Sequence, residues 1–431
     1  MARVRPFAGF RYATTSRDIT PLTAPPYDVI SPEQREEFLA GDAHNVVALE
    51  LPAGPLDPST PGNRYETGAA TWRAWREDGV IAADSAPAIY VLEQRFEHAG
   101  QPVRRRAFIA EVGLEPFSAG VVLPHERTLP KALGDRFELT RATAANLSQV
   151  LGLYEDAEQA TDAVFDAITA TEPIATATDT EAVQSVLWAS SDPTLLNAVA
   201  SIMADARIFI ADGHHRYTTA LAYRDERRAA GTDAGEAPVD PPYDFVMMAL
   251  VNLDDPELLV MPTHRVADSA GTFDPETFWA ALAANFVVEE LPEGHAGDML
   301  ADFMEPAFLI KTRDGALRRV RVRDDVDLET VICAERSKPW KHLDVAVLQE
   351  LVLDPLLGIH PDRPETLERL RFVKDAHAAL EMTANHDVAI ILRPTRMDQL
   401  RSVALAGETM PQKSTYFYPK LLSGLVFRSA E

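Results

Sequence analysis

Cysteine is almost missing from this sequence, since Cys333 is the one thiol in 431 residues. A single cysteine allows neither an intrachain disulfide nor a cysteine-based zinc site, which fits a reducing cytoplasm. Positive charge is also scarce: 41 Lys and Arg residues stand against 66 Asp and Glu, for a formal net charge of -25. Sequence-independent affinity for a phosphate backbone needs clustered cations, and the basic runs here are as short as Arg104, Arg105 and Arg106. A nucleic-acid partner is therefore not expected. Long apolar runs are lacking too. The first twelve residues, MARVRPFAGFRY, carry cations without a signal-peptide core, and nothing later approaches the length of a membrane span. The expectation is a cytoplasmic protein with no membrane partner.

What is present is a chain with 46% hydrophobic residues, enough for two or three cores. The stretch PLTAPPYDVI is too rich in proline for a helix and reads as a stiff loop delivering Tyr27 and Asp28. Ser31 with Gln34 has the spacing of a capping box for a helix from Pro32 to Leu39. A second helix is expected from Tyr65 to Asp78, with Trp72 and Trp75 on one face. AIYVLEQRFE and RRRAFIAEV read as paired strands, QVLGLYED and SVLWAS as further strands, and YDFVMMALVNL as the most apolar strand of all. TATEPIATATDTEAV looks like a surface connection, LLVMPTHRVA like one strand, and the carboxyl end like a charged loop followed by an apolar strand. The alternation of elements predicts α/β or α+β architecture, with mixed sheets and flanking helices. Three regions are expected: 1–155, 156–270 and 271–431.

The stretch IFIADGHHRYTTAL, residues 208 to 221, concentrates the chemistry. A strand ending at Ile210 and a helix from near Tyr217 would place Gly213 to Arg216 at a helix amino terminus, where free N–H groups and the dipole favour an anion. Gly213 allows close approach of a ligand, and Arg216 can hold a phosphate or carboxylate through two hydrogen bonds. The bland alternative is that Asp212 caps the helix and Arg216 pairs with an acid. His125, His214, His215 and Asp212 also invite a test for a metal. On a helix, adjacent residues point about 100 degrees apart, so His214 and His215 could share an ion only from a loop.

Together with APPYDVIS, LPHERT and MPQKSTYFYPKLLSGLV, the stretch ADGHHRYTTALAYRDE resembles the DUF1015 family over nearly the whole chain. More remotely, Gly213 to Thr219 is similar to the G-x-x-R-x-x-A box of the ParB/sulfiredoxin superfamily, with Thr219 at the alanine position. That resemblance implies a ParB/sulfiredoxin-like region in which the box binds nucleotide phosphates. Members include partition proteins, sulfiredoxins and free-serine kinases. Nucleotide contacts are accordingly expected from Gly213, His214, His215, Arg216 and Thr219, with His125 and Arg127 from LPHERT and Lys413 from a lid-like carboxyl-terminal loop. Glu126, Asp28, Asp212 and His214 are the candidate catalytic residues. Glu126 or Asp28 would serve as base, and Asp212 as ligand to Mg²⁺ or anchor of His214.

The function expected from these parts is a nucleotide-dependent phosphotransferase using ATP or ADP on a small hydroxyl-bearing metabolite, with serine the first to assay. The alternatives are a nucleotide-binding regulator without turnover and a metal-dependent phosphoester hydrolase. A homodimer is compatible with each of them.

Overall fold

The computed structural model describes the chain except residues 1, 127–129, 232–238, 292–299, 301–302 and 334, and the side chains of 130–132. The described residues form two compact units. The first comprises Met1–Pro124, Thr128–Leu258 and Pro419–Glu431, and the second His125–Arg127 and Leu259–Tyr418. This division is drawn differently from the three consecutive regions expected from sequence, because the chain leaves the first unit and returns to it for its last residues.

The first unit is built on a mixed nine-stranded sheet. Its spatial order is Val122–Leu123, Ile208–Asp212, Val150–Tyr154, Phe245–Asn252, Gln101–Gly113, Ile89–His98, Gln184–Ser190 and Ala175–Thr178, with Val4–Arg5 also paired to Gln101–Gly113. Phe245–Asn252 is buried at every position, which explains its unbroken apolar sequence: strands covered on both faces lose the polar alternation. Helices supply the cover. Pro32–Gly41 begins with the Ser31 and Gln34 capping box, both halves formed. In Arg64–Glu77, capped by Asn63, Trp72 and Trp75 are buried against Phe427 and Tyr12. Helix His214–Gly231 is pinned through Tyr217, whose hydroxyl donates to Glu115 O at 2.9 Å and accepts from Glu115 N at 3.0 Å.

The second unit has a six-stranded antiparallel sheet, ordered Phe286–Glu290, Leu317–Val322, Ala307–Thr312, Val388–Ile391, His264–Ala267 and Leu370–Val373. Val266, Leu309, Leu380 and Ile391 pack in its core. A separate two-stranded ribbon pairs Leu259–Met261 with Tyr416–Tyr418.

Four local expectations are corrected. The supposed surface connection contains the edge strand Ala175–Thr178, in which small residues hide the period: Ala175 and Ala177 face inward while the threonines face out. Leu258 to Ala267 is two strands, broken at Pro262, which lacks the N–H a continuous ladder would use. At the carboxyl end the strand is Tyr416–Tyr418, whereas Leu421 to Phe427 is buried largely as irregular chain, turning at Gly424 with φ +93. The helix after IFIAD starts at His214 and not near Tyr217.

Candidate functional site

Strand Ile208–Asp212 is apolar because Ile208, Phe209 and Ile210 lie fully inside the first unit. A register shift near its end precedes Asp212, and Gly213, at φ +87, turns the chain directly into helix His214–Gly231. Only glycine takes that backbone angle without strain, and here it has a second task. Arg216 folds back over it, so a Cβ at Gly213 would lie 2.8 Å from Arg216 Nε. The guanidinium is fixed from two sides: Nη2 donates to Asp212 Oδ2 at 2.7 Å and Nη1 donates to the Gln149 carbonyl. Lys420 Nζ donates to Asp212 Oδ1 at 2.6 Å. Burial would raise the Asp212 pKa, but Lys420, Arg216 and His214 outweigh it and hold the carboxyl well below the usual range. Each oxygen of Asp212 thus already faces a cation.

Arg216 also borders a cavity of about 40 Å³ of mixed lining, with Glu50, Arg136, Ser148 and Thr219 beside apolar Leu139, Leu147 and Val246. This is space for a few water-sized groups. Among the described residues, Glu50 Oε1, Arg216 Nε and Thr219 Oγ1 are buried without a hydrogen-bond partner. Buried polar atoms are ordinarily satisfied, so three beside one cavity single it out. Glu50 is held by Arg136, whose Nη1 donates to its carbonyl at 2.9 Å and its Oε2 at 3.3 Å. The Arg136 guanidinium also lies 4.2 Å from the Tyr27 ring centroid. Burial pushes the Tyr27 hydroxyl up to about 12 despite the opposing charges of Arg136 and Arg216.

The expected site residues are distributed as follows. Asp212, Gly213, Arg216 and Thr219 come together in the first unit, with His214 buried and His215 half-buried on the first helical turn. Because both histidines are helical, the loop geometry needed for sharing a metal is not met. Among the described residues, no group of three or more His, Cys, Asp or Glu is arranged to hold a metal. Asp28 is exposed on the short turn Tyr27–Val29, which is a 3-10 turn where an extended loop was expected. His125, Glu126 and Lys413 belong to the second unit. There His125 Nε2 contacts Thr415 Oγ1 at 2.8 Å, Glu126 Oε1 accepts from Ser414 N at 3.2 Å, and the Lys413 carbonyl accepts from buried Arg265 at 3.0 Å. Arg127 lies outside the described residues. Glu50 was missed by sequence reasoning and Lys420 was noticed only as part of its segment. A signal for Glu50 existed: it is a lone carboxylate in the apolar run VVALEL, and a charge buried there needs a partner.

The sequence pattern of a family described as protein of unknown function (DUF1015) matches residues 4–346. The chain belongs to the DUF1015 family. Several solved structures are similar at low level to this DUF1015 chain. A free serine kinase variant in complex with ADP matches with 13% identity and a TM-score of 0.35, covering 73% of this chain and 90% of that one. A conserved hypothetical protein from Pyrococcus furiosus matches with 13% identity and a TM-score of 0.33, covering 73% and 93%. SbnI with a C-terminal truncation, from Staphylococcus aureus, matches with 11% identity and a TM-score of 0.34, covering 73% and 85%. Likeness of this degree says nothing about the chemistry of this chain's own site. A comparison with curated proteins gave no match. Among the described residues, no helix is long and apolar enough to cross a membrane.

Proposed function

We propose that this protein is a nucleotide-dependent phosphotransferase acting on a small hydroxyl-bearing metabolite. One observation carries the reading: Arg216, clamped by Asp212 and Gln149, borders the same small cavity as the unpartnered carboxylate oxygen of Glu50. An anion-binding group and a base therefore meet at one place. Gly213, Arg216 and the first turn of helix His214–Gly231 would hold the phosphates of ATP or ADP, through the fixed guanidinium and the N–H groups that a helix start leaves without helical partners.

Glu50 is the base in this reading, in place of Asp28 and Glu126. It takes the proton of the acceptor hydroxyl as that oxygen bonds to the terminal phosphorus, while the bridging P–O bond breaks and its electron pair leaves with the nucleotide phosphate. Thr219 and Ser148 line the cavity and offer hydroxyl contacts to the acceptor. Mg²⁺ does not fit as an ion held by the protein here. Both Asp212 oxygens face cations and Glu50 keeps one oxygen clear of Arg136, so no pair of carboxylates converges on a common point.

The test begins with thermal stabilisation by ATP, ADP and CTP, since a ligand that binds only the folded chain raises its apparent stability. Turnover is then assayed with serine as the first acceptor. Glu50→Gln should keep nucleotide binding and lose transfer by about a hundredfold or more, in keeping with the usual contribution of a general base. Equal turnover in Glu50→Gln, with loss in Asp28→Asn or Glu126→Gln, would move the base to those positions. Nucleotide binding without transfer marks a regulator, and chelator-sensitive hydrolysis needing no nucleotide marks a hydrolase.

A further inference from the structure

The last segment of the chain is stitched into the first unit by side chains that bond to its backbone. Arg105 Nη2 donates to the Pro419 carbonyl at 2.6 Å, Gln94 Nε2 to the Lys420 carbonyl at 3.0 Å, and Gln149 Nε2 to the Leu422 carbonyl at 3.0 Å. Gln149 also receives Arg216 on its own carbonyl, so one residue ties both the strap and the helix start. Pinning three carbonyls within four residues fixes where Lys420 emerges. Its ammonium lands on Asp212.

Arg105 is the unusual member. It is 1% exposed, yet its hydrogen bonds go to neutral acceptors, the Gln94 side chain and the Pro419 carbonyl, and Nη1 has no partner among the described residues. Burial pulls its pKa down to about 10, with Asp212 and Asp255 acting the other way, so the guanidinium stays charged at neutral pH. Arg216 Nε is likewise buried without a partner, and so is Gln149 Oε1. A buried N–H left without an acceptor is expensive, the more so on a charged group. An anion bound at either group would remove that cost, since Arg105 Nη1 and Arg216 Nε are both N–H donors without acceptors among the described residues.

We infer that Arg105, Lys420 and Arg216 form one anion-binding cluster for the phosphates of the ligand, in which Asp212 is the internal counter-ion that the ligand displaces; this rests on the phosphotransferase reading of the same site. Lys420 contacts the ligand's phosphate directly. Arg105 acts as a positioning residue through Pro419 and as a source of positive potential. Asp212, on this account, competes with the ligand and does not hold a metal for it.

The experiment measures Kd by calorimetry on the full chain for inorganic tripolyphosphate, ADP and adenosine, comparing the natural protein with Lys420→Gln, Lys420→Arg and Asp212→Asn. Lys420→Gln should weaken tripolyphosphate and ADP at least tenfold and leave adenosine unchanged. Lys420→Arg should recover most of the loss, and Asp212→Asn should bind tripolyphosphate severalfold more tightly. A Lys420→Gln Kd for tripolyphosphate within twofold of the natural protein overturns the inference while leaving the phosphotransferase reading intact. Failure of the natural protein to bind either ADP or tripolyphosphate overturns both. Should Lys420→Gln not fold, acylation of the natural protein by acetic anhydride, followed by mass spectrometry, replaces it. Saturating tripolyphosphate should protect Lys420, and an unchanged acylation rate would sink the cluster.

Discussion

Gly213 and Arg216 compete for one volume: the place a Cβ would take on Gly213 lies 2.8 Å from Arg216 Nε and 3.0 Å from its Cζ. With φ at +87, the glycine makes the strand-to-helix turn and leaves room for the guanidinium to lie back on the Gln149 carbonyl and Asp212. The first prediction follows from that double constraint. Gly213→Ala should cost about 1–3 kcal/mol in urea unfolding, the usual range for a non-glycine residue held at positive φ. It should also displace Arg216 and weaken ADP binding tenfold or more. A variant that loses stability but binds ADP normally would show that Arg216 does not need its present position.

Half of that relationship is legible in the amino-acid sequence. Ala-Asp-Gly at the end of an apolar strand predicts a turn into a helix, and the sequence also leaves open that Arg216 pairs with an acid; the turn occurs at Gly213 and the acid is Asp212. Local rules of this kind need only neighbours in sequence, as the Ser31 and Gln34 box also shows. Glu50, Gln149 and Lys420 are not legible as partners of Arg216, because they reach it from the second helical stretch Val47–Glu50, the edge of strand Val150–Tyr154 and the carboxyl-terminal strap. Nothing in the periodicity of one segment reports which distant segment it will face. Thr219, by contrast, occupies the alanine position of the box; the residue lines the small cavity and its hydroxyl is buried without a hydrogen-bond partner.

Arg136 and Arg141 share the helix Pro130–Thr143 but not a role. Arg136 is buried and pairs with buried Glu50 and partly exposed Asp135, whereas Arg141 is about half exposed and pairs with Glu138 and Glu226. Five residues of helix separate them, which turns one inward and the other to solvent. Arg136→Met should therefore cost about 3–5 kcal/mol, because it strands the Glu50 carboxylate in the interior. Arg141→Ala should change stability by about 1 kcal/mol or less. Chemical denaturation of the two variants decides it: equal losses would mean that Glu50 finds another partner or is not buried.

No residue of helix Pro32–Gly41 is fully buried, although Phe38 and Leu39 pack against the core, so its start is a further source of stability. Its Ser31 side chain accepts from Gln34 N, and the Gln34 side chain accepts from Ser31 N at 2.9 Å. Ser31→Ala removes one of those bonds and should lower stability by about 1 kcal/mol if this helix unfolds with the rest of the unit. Hydrogen exchange distinguishes the alternative. Faster exchange confined to residues 32–41, with an unchanged global transition, would show that the helix frays independently.

The charge on Asp212 sets a dependence on pH whose sign is fixed by its partners. Burial disfavours the carboxylate, yet Lys420, Arg216 and His214 more than compensate, so its folded pKa is depressed below the value of about 3.9 expected in the unfolded chain. Between those two values the unfolded chain binds more protons, and stability falls as the pH falls. The ion pairs therefore contribute in full above about pH 5, and their contribution drains away as the pH is lowered through about 4 toward the folded pKa. Asp212→Asn lacks the contribution at every pH. Relative to the natural protein its melting temperature should be lower above about pH 5, and the margin should close below about pH 4. If the margin instead widened in acid, the carboxyl would have to be protonated more readily when folded, and the cations around it could not be holding its charge.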